Sequence, residues 1–196
     1  MFRIIDLMNA GQAANFANVA YVFLDRDGVL NRGPGGAFVT SWEQFEILPG
    51  VEEAIARLNR SARKAIVITN QRGIALGLHS EADLHAMHDR FRKHLAGHAA
   101  HLDAIYYCPH DDGQCNCRKP LIGMFEQAFH DFPGAAAGNS VMVGDSLADM
   151  EAAARLGMRS VFIADPAAPR PDADRAASLA TASAASLLDF VERYLG

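Results

Sequence analysis

The chain has 196 residues, 50% hydrophobic and 21% charged, a globular composition that argues against disorder or collagen-like bias and suffices for one domain with a full core. Lys and Arg number 18 against 23 Asp and Glu, so the formal net charge of −5 argues against a general nucleic-acid or anionic-membrane binder, though a few local cations can still hold a small anionic substrate. No apolar run approaches the ~20 residues of a membrane span, and an odd count of 3 cysteines argues against a multi-disulfide scaffold.

Residues 1–18 lack a basic start followed by a long apolar core. They read as an N-terminal extension or short helix packed on the domain, not a signal peptide, and 19–196 reads as one domain. Ala20–Leu24 is a short apolar run ending in acids, a buried strand. A helix follows Pro49-Gly50 over Val51–Leu58, then a β-branched strand over Ala65–Thr69. Ser80 is an N-cap, with Asp83 at the third helical position. Leu84, Met87, Phe91 and Leu95 then fall at spacings of three and four, one apolar stripe of a long helix. Strands are expected at Ala104–Tyr107, Ser140–Val143 and Ser160–Ala164, with a helix over Asp149–Leu156. Asp165–Asp174 reads as a surface loop, and Ala184–Leu195 as a closing amphipathic helix. The alternation predicts an α/β fold: a doubly wound, mostly parallel, Rossmann-like sheet with helices on both faces. Its active site would lie beyond the carboxyl ends of the strands.

Chemistry-bearing motifs fall at those ends. Asp25 and Asp27, in Phe23-Leu24-Asp25-Arg26-Asp27-Gly28, project to one side of an extended chain. One can attack an electrophile while the other shuttles a proton. Thr69, Asn70 and Gln71, followed by Arg72, end the second strand and offer donors to phosphate oxygens. Asp145, in Gly144-Asp145-Ser146-Leu147-Ala148-Asp149, offers a hard oxygen to Mg²⁺, while Asp149 reads as an early-helix acid. Arg118-Lys119-Pro120 supplies cations. Each motif alone also fits a polar turn or a helix cap.

Together and in this order, D-x-D-G, Thr, Lys and G-D-x-x-x-D, the motifs make the chain resemble the haloacid dehalogenase superfamily of phosphotransferases across roughly Ala20 to Ala164. The resemblance implies that Asp25 forms an aspartyl-phosphate. It implies that Asp27 protonates the leaving oxygen and then activates water. Mg²⁺ would be held by Asp25, the Asp27 carbonyl and Asp145, and the phosphoryl oxygens by Thr69 and Lys119. The intervals from Asp25 to Thr69 and from Thr69 to Lys119 are too short for a separate cap domain.

All 3 cysteines lie in one segment, Cys108-Pro109-His110-Asp111-Asp112-Gly113-Gln114-Cys115-Asn116-Cys117. A Cys₃His set suits structural, tetrahedral Zn²⁺. A small zinc loop over 108–117 would pin the approach to Arg118 and Lys119. The alternative is three reduced thiols and a loop histidine. The C-P-H…C-x-C-R-K-P block resembles a narrower group, the heptose 1,7-bisphosphate 7-phosphatases and the related histidinol-phosphate phosphatases. The stretch from Thr69 to Gly77 is closer to the heptose enzymes, with Arg72 and Leu76 as departures.

The resemblance thus implies a Mg²⁺- and Zn²⁺-dependent phosphatase of a small phosphorylated sugar, with Asn70, Gln71, Arg118, Arg72 and Arg32 as substrate-binding candidates. The other expectations are a cytoplasmic monomer that engages neither nucleic acid nor membrane. His85, His88, His94, His98 and His101 lie on or near the long helix. His94 and His98, four apart, could share a metal. With no H-E-x-x-H and a face off the apolar stripe, all five read as surface histidines. Trp42 and Phe45 read as core or helix-staple residues.

Overall fold

The computed structural model describes residues 15–33, 35–165 and 170–196. Its strands are β1 (Tyr21–Leu24), β2 (Lys64–Asn70), β3 (Ala104–Cys108), β4 (Ser140–Gly144), β5 (Arg159–Ile163) and β6 (Ala182–Ala184). Its helices are α1 (Val51–Arg60), α2 (Glu81–Ala96), α3 (Gly123–Asp131), α4 (Leu147–Leu156), α5 (Ala173–Leu179) and α6 (Leu187–Tyr194). Every strand pairing is parallel, and the strand order is β3-β2-β1-β4-β5-β6.

Both faces of the sheet are buried, so strand residues alternate between two cores instead of between core and water. Val22, Leu24, Ala65, Val67, Val141 and Val143 face the core shared with α1, α2 and α6. Phe23, Ile66, Ile68 and Met142 face the core shared with α3 and α4. Each such Leu, Ile or Phe contributes about 1.5–3 kcal/mol by leaving water. The α2 stripe is as expected, with Leu84, Met87, Phe91 and Leu95 all buried. Its start is a capping box: Ser80 Oγ accepts from the Asp83 amide at 3.1 Å, and Asp83 Oδ2 accepts from the Ser80 amide at 2.9 Å. Trp42, half-buried, stacks on the core residue Phe45 at 5.3 Å.

The structure departs from the sequence reading in several places. The α3 and α5 helices and the β6 strand were not anticipated, and the first turn of α5 takes the end of the expected 165–174 loop. Residues 1–14 lie outside the described residues, as do 34 and 166–169. Residues 15–18, the described end of the extension expected over 1–18, pack on the domain. Phe16 is buried against Phe190 and Tyr194, with ring centroids 5.4 and 5.3 Å apart. Arg159 also donates to the Asn15 carbonyl and to Asn18.

His88 is buried, contrary to the surface reading. Its Nε2 lies 3.4 Å from Nη1 of Arg26, which is itself buried and stands over the Phe45 ring. Burial and the Arg26 charge hold His88 down to about 3, so it stays neutral as a partner for the guanidinium.

The strand order reverses between β1 and β4. A crevice opens at such a switch point. Asp25 follows β1 and Asp145 follows β4, so the two acids flank it. Among the described residues, the β1–β2 connection holds a loop, a short 3-10 turn and α1, and the β2–β3 connection holds α2, so neither carries a cap domain.

Candidate active site

Asp25 continues β1, its amide donating to the Val143 carbonyl at 2.9 Å. Its Oδ1 accepts from the Arg26 amide at 2.7 Å and lies 3.0 Å from Lys119 Nζ. Burial, then the charges of Asp149, Asp145 and Asp27, push the Asp25 carboxyl up to about 8, with Lys119 opposing. Asp27 is held on both oxygens. Oδ1 accepts from Arg26 Nη2 at 3.0 Å and Asn31 Nδ2 at 2.9 Å, and Oδ2 accepts from Gln71 Nε2 at 3.1 Å. Three donors from Arg26, Asn31 and Gln71 thus fix the orientation of the Asp27 carboxylate.

Two glycines make the close approach possible. A Cβ on Gly28, whose φ is +92°, would sit 2.2 Å from Asp145 Oδ2. A Cβ on Gly144 would sit 2.4 Å from the Asp149 side chain. Gly144 is required by that contact with Asp149 Cβ, and Gly28 by its left-handed backbone as well as by the Asp145 carboxylate beside it.

Lys119 is buried, and its ammonium meets three acceptors: the Ile68 carbonyl at 2.7 Å, Asp25 Oδ1 at 3.0 Å and Asp149 Oδ1 at 2.5 Å. That matches its three N–H donors. Burial pulls its pKa down, but Asp149 and Asp25 outweigh burial and hold it above the usual lysine value. Asp149 therefore does more than the early-helix role read from sequence. Its Oδ2 closes a capping box with Ser146, while Oδ1 reaches Lys119.

Burial, then Asp149, pushes Asp145 up to about 6. Asp25, Asp145 and Asp149 bring ligand oxygens within 4.8 Å of one another. Buried hard oxygens whose ionisation is resisted by burial and mutual repulsion suit Mg²⁺, which removes that repulsion.

The remaining candidates divide. Thr69 is buried, and its Oγ1 accepts from Gln71 Nε2 at 2.9 Å. Gln71 thus links Thr69 to Asp27. Asn70 clamps the Lys119 backbone, its Nδ2 donating to the carbonyl and its Oδ1 accepting from the amide, both at 3.0 Å. Arg118 lines the site cavity and pairs with Asp112. Arg72 is paired with Asp111 at 2.5 Å and lines neither of the two hollows at this edge. Arg32 is held bidentate by Glu46 at 2.8 and 2.9 Å. Arg170, not anticipated, lies 3.1 Å from Asp145 Oδ2. Nothing in its loop sequence marks it; only the fold carries it to the crevice.

The cavity between these groups is about 300 Å³. A larger hollow of about 660 Å³ shares Asp27, Asp145 and Arg170 with it, and is also lined by Arg32 and the segment around Gly35 and Gly36.

Beside the site, Cys108, His110, Cys115 and Cys117 converge. The Sγ atoms lie 3.1–3.5 Å apart, and His110 Nδ1 lies 3.7 and 3.4 Å from Cys108 and Cys117 Sγ. A tetrahedral ion with bonds near 2.0–2.3 Å sets ligand atoms about 3.3–3.8 Å apart, so the set fits zinc with small adjustment. Burial raises the Cys108 and Cys117 thiols, and hydrogen bonds among the sulfurs raise Cys117 further. A cation supplies the charge that lets such crowded thiols ionise. The Arg118 amide donates to Cys115 Sγ at 3.4 Å, tying the cluster to the next two cations in the chain.

A parallel sheet that gathers two carboxylates, a buried lysine and a hard-oxygen cluster at one switch point defines a class, that of the aspartate-based phosphoryl-transfer enzymes. Comparison with known proteins agrees. A family model described as HAD-hydrolase-like matches residues 116–190. The D-glycero-beta-D-manno-heptose-1,7-bisphosphate 7-phosphatase of Bordetella bronchiseptica is 45% identical over 138 residues, covering 69% of this chain and 75% of that protein. The D-glycero-alpha-D-manno-heptose-1,7-bisphosphate 7-phosphatase of Mycobacterium bovis is 41% identical over 133 residues, covering 67% of this chain and 70% of that protein. The crystal structure of the B. bronchiseptica D,D-heptose 1,7-bisphosphate phosphatase, complexed with magnesium and phosphate, superposes with a TM-score of 0.78 at 34% identity, covering 89% of this chain and 97% of that one. The chain belongs to the haloacid dehalogenase-like hydrolases and is a phosphatase of that family.

Proposed function

We propose that this phosphatase removes the 7-phosphate of D-glycero-D-manno-heptose 1,7-bisphosphate. The observation that carries the reading is the placement of Asp25, Asp27 and Lys119 on one small cavity, beside a zinc-type loop that leads into Arg118. An Asp25 oxygen attacks phosphorus, forming an O–P bond as the bond between phosphorus and the sugar oxygen breaks. Asp27 gives its proton to the departing sugar oxygen. It then takes a proton from water, whose oxygen attacks the same phosphorus and releases Asp25. Lys119 and Thr69 hold the equatorial oxygens, and Gln71 fixes Asp27 relative to Thr69. Asn70 sets the Lys119 backbone. Asp25, Asp145 and the Asp27 carbonyl would hold Mg²⁺, which when bound supplies charge neutralisation between nucleophile and phosphoryl group.

Cys108, His110, Cys115 and Cys117 would hold zinc and fix the Arg118-Lys119 segment. The larger hollow, with Arg32 and Arg170, has room for the distal phosphate. Its size and shared wall with the catalytic cavity favour a bisphosphate over histidinol phosphate. We assign the activity to one unit working as a monomer in the cytoplasm, on a small molecule and not on nucleic acid or membrane. The acidic composition argues against nucleic acid and an anionic membrane surface as partners, and among the described residues no helix is long and apolar enough to cross a membrane.

The test is kcat/KM for heptose 1,7-bisphosphate in both anomers, fructose 1,6-bisphosphate and histidinol phosphate. Heptose bisphosphate is expected to lead by at least about tenfold, ~1.4 kcal/mol of differential transition-state binding. A preference for histidinol phosphate overturns the assignment. For the loop, Cys117→Ser is expected to lower bound zinc by one equivalent per chain and turnover by roughly 10–100-fold. Unchanged zinc content would refute the Cys₃His site.

A further inference from the structure

A second cluster of metal-ligating side chains lies outside the catalytic residues. Glu52 stands in the first turn of α1, His94 in the last turn of α2, and His98 just beyond it. One ligand atom from each lies within 4.8 Å of the others. His94 Nε2 is 2.8 Å from Glu52 Oε1, and the two imidazole centroids are 4.6 Å apart. We propose that Glu52, His94 and His98 form a second transition-metal site, of zinc type, that fastens the start of α1 to the end of α2.

The His98 tautomer supports this. Its Nδ1 lies 2.9 Å from the His94 carbonyl oxygen. A carbonyl only accepts, so Nδ1 carries the hydrogen and Nε2 keeps its lone pair. A ligating imidazole is held in the same way, one nitrogen donating to a backbone carbonyl and the other presented to the ion. Spacing four apart puts both rings on one side of the helix end. The carboxyl-terminal end of α2 carries partial negative charge, which favours a cation there. Two imidazoles and one carboxylate suit a borderline divalent ion and leave a fourth position for water. Ligand atoms on such an ion stand about 3.3 Å apart, so the Glu52–His94 contact opens by only about half an ångström. The α1 and α2 helices pack on the same face of the sheet, so the ion would bridge two elements of one core.

The test compares the wild-type protein with a His94→Gln/His98→Gln double variant and with Glu52→Gln. Each is equilibrated with micromolar zinc, and bound metal is counted by elemental analysis. The wild type is expected to hold one zinc per chain more than the double variant, whatever the cysteine cluster contributes, because that contribution cancels in the difference. Glu52→Gln is expected to weaken the extra site about tenfold. Zinc should raise the wild-type Tm more than that of the double variant, with kcat unchanged in all three. Equal zinc content and equal Tm response in wild type and double variant would overturn the proposal and leave a Glu52–His94 ion pair.

Discussion

Asp25→Asn is expected to lower phosphate release by about 10⁴-fold or more while leaving the fold intact, since removal of an attacking group costs on this scale. The substitution keeps the shape of the side chain. Its amide oxygen can still accept from the Arg26 amide and from Lys119, the two contacts Asp25 Oδ1 makes. What is lost is the second anionic oxygen. Stability separates this loss from misfolding. The Asp25 carboxyl is raised to about 8 from an ordinary value of 3.8, first by burial and then by Asp149. Between those values the native protein keeps a proton that the unfolded chain has released. Metal-free wild type therefore loses stability as pH rises from about 4 to 8, and the Asn variant, with no proton to hold there, loses less. The checks are Tm against pH without metal and turnover with Mg²⁺. Turnover within tenfold of wild type would refute Asp25 as the nucleophile, and Asp25→Ala guards against a trace of amide hydrolysed back to acid.

Much of the site was legible because a parallel sheet puts every strand end at one edge. The apolar runs before Asp25, Thr69 and Asp145 mark those ends, so three motifs distant in sequence could be placed together. The cluster of Cys108, His110, Cys115 and Cys117 was legible because its members lie within one short loop. Pairings that depend on crossovers were not. Nothing local shows that Asp149 meets Lys119, that Arg26 enters the core to sit on His88, or that Glu52 on α1 faces His94 on α2. Glu46 and Asp111, which take up Arg32 and Arg72, were visible as residues but not as partners. The β6 strand was missed because Ala182-Ser183-Ala184 has no β-branched residue; its position comes from pairing with β5. The α5 helix, Ala173–Leu179, buries only Ala176, too little for an apolar stripe.

Lys119→Met is expected to cost both stability and turnover, and the two losses have different causes. The ammonium is the cation between Asp25 and Asp149, and it also meets the Ile68 carbonyl. Methionine fills similar volume but leaves two buried acids facing each other. Breaking a buried ion pair from one side costs about 3–5 kcal/mol. Turnover should fall about 10³-fold, because the same ammonium is placed to meet charge on the transferring phosphoryl group. A second variant divides the effects. Adding Asp149→Asn removes one of the stranded acids, so urea denaturation of the double variant should recover part of the lost stability. Turnover should not recover, since no cation has returned to the phosphoryl oxygens. The two single changes are thus expected to be non-additive in stability, as contacting residues are. If turnover recovered along with stability, Lys119 would be a packing residue that merely offsets Asp149. If Lys119→Met alone denatured at the wild-type urea concentration, the buried contacts of Lys119 with Asp25 and Asp149 would contribute no net stability.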